Sequence, residues 1–525
     1  MRSQIFLPGF FATSAFATDP IVKVLNGSYS GIHLPQYAQD LFLGIPYAQD
    51  TGGENRFRIP QTLDETWDDV RPASSYSNAC PSLSQDDQIY GMSENCLSIN
   101  IVRPSGLDAG EKLPVLLWIH GGSYQVGTTG RPDYNLTFIV ERSVELGKPI
   151  IGASINYRKG GWGNMYSIEV QGSGNTNLAV RDMRKGLSWI NENIEAFGGD
   201  NCSVTIWGES SGSFAVGQLL LSYGGRTDGL STAQSRSQAQ QLRLGTMAAT
   251  DTLACLRTLE YDEICPLLNY SNIAGPGWYP TVDGDIVPNY PTILLEEGRF
   301  AHVPHLYGST SDEGTDNVMP GIDNDEELRI HLLYNTGFQF PNSTVDKLLE
   351  LYPDDPTVGV PINTGNERFL EYGIQYKRAA AIIGDVFYHA PRLADARQYA
   401  KRSPTYIYRF NTRPWLNSTG ELAPAHKGVQ HFSEVAFVFN NPTFVGPYPE
   451  YRALSDQMSA QWINFAHSGD PNGQGLPEWP KYDDSPAGQN LVLQTMSQGG
   501  SYVEEDTYRL QGREYLTKWA RRRHV

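Results

Sequence analysis

Two short, almost continuous apolar runs, Ile150 to Tyr157 (IIGASINY) and Ser203 to Trp207 (SVTIW), most constrain this chain, because runs of that kind fill strands buried on both faces. Between them Leu178, Met183, Leu187, Ile190, Ile194 and Phe197 recur at helical spacing, behind Asn177 as a cap and ahead of Gly198-Gly199 as a stop. Strand, helix and strand in that order imply a parallel sheet with helices on its faces. Leu113 to His120 (LPVLLWIH) adds a further buried strand, later strands are expected over Val303 to Tyr307 and Thr405 to Phe410, and a late helix over Asp456 to His467. With no internal repeat and no long Gly/Ser or Pro linker, the predicted fold class is α/β. One domain over residues 18–525 is expected, with a large, mostly parallel central sheet flanked by helices.

The chain has 525 residues, 40% of them apolar and 11% aromatic, enough for a large core. Its 58 acidic against 40 basic residues give a formal charge of −18, which repels phosphate backbones and anionic headgroups. Nucleic acid and membrane surfaces are thereby disfavoured as main partners, and a small neutral or cationic substrate is expected. Arg2, the apolar stretch Ile5 to Phe16 and the small-x-small end Ala15-Phe16-Ala17 predict a secretion signal over residues 1–17. No later apolar run is long enough for a membrane span. Sequons at Asn26, Asn135, Asn201, Asn269, Asn342 and Asn417 agree with secretion. Five cysteines allow at most two intrachain bridges. No His/Cys cluster has ligand spacing, so neither a metal nor another cofactor is expected.

The chemical signal is Gly208-Glu209-Ser210-Ser211-Gly212, set between the strand Ser203 to Trp207 and the apolar helical run Phe214 to Leu221. A sharp turn there lifts a serine oxygen clear of the sheet edge, and the glycines let backbone pass closely, which makes Ser210 the candidate nucleophile. Attack on a carbonyl also needs donors for the oxyanion. His120-Gly121-Gly122-Ser123, at the end of an upstream strand, supplies converging N–H groups, so Gly122 and Ser123 are assigned with the Ser211 N–H as the oxyanion hole.

These motifs, with SENCLSINIVRP (93–104), LPVLLWIHGGSY (113–124), VTIWGESSG (204–212), VPHLYGSTSDEGT (303–315), GVQHFSEVAFVF (428–439) and WINFAHSGDPNG (462–473), resemble the type-B carboxylesterase/lipase family. That is the cholinesterase-like branch of the α/β-hydrolases, and the likeness is strongest to its secreted fungal members. The resemblance implies the α/β-hydrolase fold and a serine carboxylic-ester hydrolase acting on a small-molecule ester. It places the acid within Gly308 to Gly314, at Glu313, where the residues alone leave Asp312 and Asp316 open. It places the histidine before the Glu434, Phe437-Val438-Phe439 pattern, at His431, with His426 as competitor. The order Ser210, Glu313, His431 is the one this fold uses. The family's local bridges imply Cys80–Cys96 and Cys255–Cys265, leaving Cys202 as a buried, unpaired thiol beside the nucleophile strand.

Three departures stand out. Ser123 replaces the usual Gly or Ala and Ser211 the usual Ala. Residues 225–252 are polar and Ser/Gln-rich where the family has another buried strand, so the sheet is expected to be locally defective between the strands carrying Ser210 and Glu313. The covering loop Pro81 to Asn95 is short and mostly polar, which favours an esterase over an interfacially activated lipase. It holds no Trp to receive a quaternary ammonium. A triglyceride lipase and a non-catalytic binding protein on the same fold are the alternatives.

Overall fold

A computed structural model of the chain describes residues 19–523 apart from positions 83, 109, 227–251, 269–276 and 484–487. Along the chain the strands are β1 (Ile21–Lys23), β2 (Ser28–Ser30), β3 (Ile32–Leu34), β4 (Gln39–Pro46), β5 (Val70–Pro72), β6 (Ser98–Pro104), β7 (Leu113–Ile119), β8 (Ile151–Ile155), β9 (Gly199–Gly208), β10 (His305–Thr310), β11 (Thr405–Phe410), β12 (Trp415–Leu416), β13 (Glu421–Leu422), β14 (Gln489–Leu493) and β15 (Tyr502–Glu505). The three expected apolar runs are neighbours: β7 pairs in parallel with β8 on one side and with β9 on the other. A sheet of order β3-β4-β6-β8-β7-β9 is completed by antiparallel strands. A second sheet, β10-β11-β14-β15, is parallel except at β15. Parallel pairing therefore runs through β8-β7-β9 in the first sheet and β10-β11-β14 in the second, and antiparallel strands lie at the far margin of each.

The helix Leu178–Asn193 forms where its spacing predicts and buries Val180, Met183 and Ile190 against the first sheet. Gly198 ends its short continuation in the left-handed conformation, at φ 84°, as a stop glycine should. Asn177 does not cap it. The Asn177 side chain is spent on Thr281 O and Asp283, and the residue itself is left-handed. The late helix starts earlier than its periodicity suggests and runs over Pro449–Ser468. It packs against β7, β9 and the helix Thr137–Glu145, while Trp118 and Trp207 of the first sheet form an aromatic cluster with Phe439.

Among the described residues no strand joins β9 to β10, so the six- and four-stranded sheets are separate hydrogen-bonded units. Most of the stretch expected to lack a strand, 227–251, lies outside the described residues. The two strands differ in burial: β7 is almost wholly buried, whereas β9 is half-buried along most of its length.

Cys80 and Cys96 are bridged, with S–S 2.00 Å, closing the covering loop. The expected Cys255–Cys265 bridge is absent: both are free thiols in separate helical segments, Thr252–Arg257 and Tyr261–Leu267. Cys255 faces solvent, and Cys265 Sγ lies 4.0 Å from the Tyr261 hydroxyl one turn back. Cys202 is free as expected but exposed rather than buried, because it sits near the start of the half-buried strand β9. No helix among the described residues is long and apolar enough to cross a membrane. The expected signal over residues 1–17 lies outside them.

Candidate active site

Glu209 and Ser210 form the turn between β9 and the helix Ser211–Leu221. Ser210 is held at φ 55°, ψ −126°, a strained conformation for a residue with a Cβ, and the surrounding contacts enforce it. A Cβ at Gly212 would strike the carbonyls of Ile119 and His120. At Gly121 it would come 2.6 Å from Glu209 O and 3.0 Å from Ser210 Cβ, so the glycine loop after β7 rests directly on the serine turn.

That loop turns through three consecutive positive φ values, Gly122 106°, Ser123 56° and Tyr124 59°. The N–H groups of Gln125 and Val126 close it onto Gly122 O. The hydroxyl of Ser211, the unusual residue after the nucleophile, accepts the Tyr124 N–H at 3.1 Å and so pins the loop to the serine helix. No hydrogen bond among the described residues uses the N–H groups of Gly122 or Ser123, and the Ser211 N–H is at a helix start, where backbone donors are unpaired. Buried His120 stacks on Tyr157 with its Nδ1 2.8 Å from Gly121 O. Burial, then the charge of Lys159, pushes its pKa down to about 3, so it stays neutral.

Two residues that sequence reasoning did not single out hold this loop from behind. Asp87, from the covering loop, accepts the Gly127 N–H at 2.9 Å and the Ser82 hydroxyl at 2.6 Å. Lys159, fully buried just beyond β8, lies 2.9 Å from Asp87 Oδ2 and also donates to Gly127 O. Burial works against the Asp87 charge, but Lys159 and these donors outweigh it and hold the carboxyl below its usual range. One acid in a polar loop and one lysine far along the chain leave no sequence pattern to read.

Glu313 follows β10. Its Oε1 accepts the Thr310 N–H at 2.7 Å and its Oε2 lies 2.6 Å from His431 Nδ1. The two alternative acids are occupied elsewhere: Asp312 receives the N–H groups of Val429 and Ile362, and Asp316 pairs with Lys427. His426 stacks on Tyr372. The other ring nitrogen of His431, Nε2, is 3.0 Å from Glu209 Oε1, and no hydrogen bond between Ser210 and His431 is present among the described residues. Burial disfavours the charged imidazole, yet Glu209 and Glu313 prevail and raise its pKa well above the ordinary histidine value. A third carboxyl, Glu434, receives the Tyr408 hydroxyl at 3.2 Å. Burial, then Glu313 and Glu209, pushes the Glu434 pKa well above the ordinary carboxyl value, which favours its neutral form.

The model of the carboxylesterase family matches residues 18–230 and 226–511. Secreted lipase 1 of Botryotinia fuckeliana (strain B05.10) is 30% identical over 96% of this chain and 92% of its own. Lipase 1 of Geotrichum candidum is 29% identical over 93% and 94% respectively. Among solved structures, a PNB esterase superposes with a TM-score of 0.74 at 26% identity, covering 95% of this chain and 100% of its own.

Proposed function

The chain belongs to the carboxylesterase family, and on that premise we propose that it is a secreted serine esterase that cleaves small or medium acyl esters through Ser210, His431 and Glu313. The observation carrying this reading is the 2.6 Å contact between Glu313 and His431 Nδ1 beside the strained Ser210 turn. Glu313 fixes the tautomer in which Nδ1 carries the proton and Nε2 is free to act as base. Turnover requires Nε2 to exchange its present neighbour, Glu209, for the Ser210 hydroxyl. Hydrogen bonds of this kind commonly form only with substrate bound.

Ser210 Oγ then adds to the ester carbonyl while its proton passes to His431 Nε2. The oxyanion is met by the N–H groups of Gly122, Ser123 and Ser211, whose fixed positions stabilise charge only as it develops. His431 returns the proton to the departing alkoxide, leaving an acyl-Ser210. Water, activated by the same imidazole, releases the acid.

The short covering loop favours small acyl groups, since its sequence is mostly polar; among its described residues Ile89 is the one strongly exposed large apolar side chain. Exposed sequon residues Asn342 and Asn417 fit an extracellular glycoprotein. A fluorophosphonate should label the secreted protein at Ser210, and p-nitrophenyl butyrate should be cleaved faster than the palmitate ester. Equal or faster cleavage of emulsified long-chain triglyceride would make it a lipase. Absence of labelling at Ser210 would favour a binding protein, which the Glu209–His431 contact would suit by keeping the base from the serine.

A further inference from the structure

Away from the serine turn, the four-stranded sheet carries a small polar cavity of about 10 Å³, room for a single water-sized body, with Tyr508 at its partly exposed margin. Four guanidinium groups line it: Arg392, Arg409, Arg509 and Arg513. Three carboxylates face them, and each is already occupied. Asp506 receives Arg392 and Arg513, Asp385 receives two N–H groups of Arg509 and the Tyr352 hydroxyl, and Glu504 receives two from Arg409. His389 adds no charge, because burial and the surrounding guanidiniums hold its pKa far below the ordinary value. Asp312, whose carboxyl also senses Arg409 and Arg509, is not in the wall and spends its oxygens on the N–H groups of Val429 and Ile362. The lining therefore carries one positive charge in excess.

Its unmet hydrogen-bonding capacity is almost entirely donor. Arg392 Nε and Nη1, Arg509 Nη1 and Arg513 Nε are buried without a partner among the described residues, as is His389 Nε2, whereas Asn490 Oδ1 is the orphan acceptor of the lining. Leaving buried charged donors unmet is unfavourable, more so than for neutral groups. Water would accept from them, but it brings two O–H groups of its own and no charge. An acceptor-only monovalent anion answers both the donors and the excess charge.

We propose that this cavity is a binding site for a small monatomic anion, chloride in a saline extracellular medium. The site is separate from the ester-cleaving residues, and Ser309 ties it to the strand that holds the acid. Ser309 Oγ is 3.0 Å from His389 Nδ1, and the next residue, Thr310, supplies the N–H that anchors Glu313. The bound anion would act as a structural ion.

The test uses the full-length secreted protein in chloride-free gluconate, titrated with sodium chloride at constant ionic strength. The melting temperature should rise saturably, by about 2–4 °C at a chloride concentration of about a hundred times Kd. Arg392→Met, which removes the excess charge and the unmet Arg392 donors, should abolish that dependence. Should this variant fail to fold, crystals of the unaltered protein soaked in sodium bromide decide the matter through anomalous scattering. A bromide peak in the cavity supports the site. Superimposable melting curves in chloride and gluconate, or a cavity without a bromide peak, overturn it.

Discussion

Ser210 follows the last strand of one sheet and Glu313 the first strand of the other, with His431 in the loop beyond β13, and the two sheets pack different interiors. The six-stranded sheet packs a continuous apolar interior, from Phe42 through Val115, Leu117 and Ile155 to Phe197, with a few buried ion pairs such as Arg158–Asp182 and Lys159–Asp87. The four-stranded sheet has an apolar cluster around Tyr406, Phe410 and Leu491 but also rests on buried arginine–carboxylate contacts, Asp506 with Arg392 and Arg513 and Asp385 with Arg509. Glu313 and His431 belong to this second half and meet at 2.6 Å, while the link across to Ser210 is not made. The acid–base pair is thus made, although the segment after His431 also packs on the first sheet through Phe432, Val435 and Phe439. The nucleophile side meets it at the Glu209–His431 contact and through packing, at Trp207 on Phe439 and along the helix Pro449–Ser468.

The largest effect should come from removing either side of that junction. Ser210→Ala and His431→Ala should each lower kcat/KM by about four to six orders of magnitude, with far-UV circular dichroism unchanged, because such residues act as a unit. His426→Ala, altering a ring stacked on Tyr372, should stay near wild type. An inactive His426 variant beside an active His431 variant would place the base elsewhere.

Next comes the junction itself. We expect the protein with its present residues 225–252 to express poorly or turn over slowly, because Ser210 and Glu313 sit on strands that no described strand joins. A misplacement of about 1 Å costs on the order of a hundredfold in rate. Replacing 225–252 with an apolar strand of family type should recover roughly that factor in kcat. A stable, fast enzyme with the present sequence would show that packing alone aligns the two halves.

A third test asks how far the first half depends on one of its buried ion pairs. Lys159→Met leaves the Asp87 carboxylate buried without its cation and should destabilise by about 3–5 kcal/mol. Lys159→Met combined with Asp87→Leu should recover most of the loss, as followed by urea denaturation. Equal stability of the single and double variants would mean that the pair does not hold the glycine loop.

What could be read from the sequence follows the same division. Apolar runs and glycines announce themselves, so β7, β8, β9, the serine turn and the glycine loop are legible from spacing alone. Glu313 and His431 are legible only through family resemblance, since nothing local separates Glu313 from Asp312 and Asp316. Contacts between distant polar residues leave no periodic trace, which is why Asp87 with Lys159, Glu209 against His431 and the buried arginines emerge only in three dimensions. The Cys255–Cys265 bridge was expected from resemblance, and there the local helices turn the two thiols to different surroundings.

A smaller effect concerns charge at the junction. His431 must be neutral at Nε2 to accept the serine proton, and Glu209 and Glu313 raise its pKa against the effect of burial. Protonation therefore removes activity as pH falls through that raised value. Glu209→Gln deletes one of the two charges that favour the imidazolium, so the acid limb of kcat/KM should move to lower pH. A limb that stays in place or moves upward would show that Glu209 does not face the ring in solution.

The smallest effect is a labelling pattern that separates the two regions without touching catalysis. The bridge Cys80–Cys96 closes the covering loop and should resist modification of the native protein. Cys202 is exposed near the start of β9, and Cys255 is exposed on its helix, so both should react readily with a thiol reagent under non-reducing conditions. Cys265 is half-buried, and burial raises its thiol pKa, leaving less of the reactive thiolate at neutral pH. It should label more slowly than Cys255. Peptide mapping that finds Cys255 joined to Cys265 would show that the segment between β9 and β10 adopts a different arrangement in the purified protein. Slow labelling of Cys202 would show that the flank of β9 is covered there, and with it the reason for expecting a misaligned nucleophile would fall.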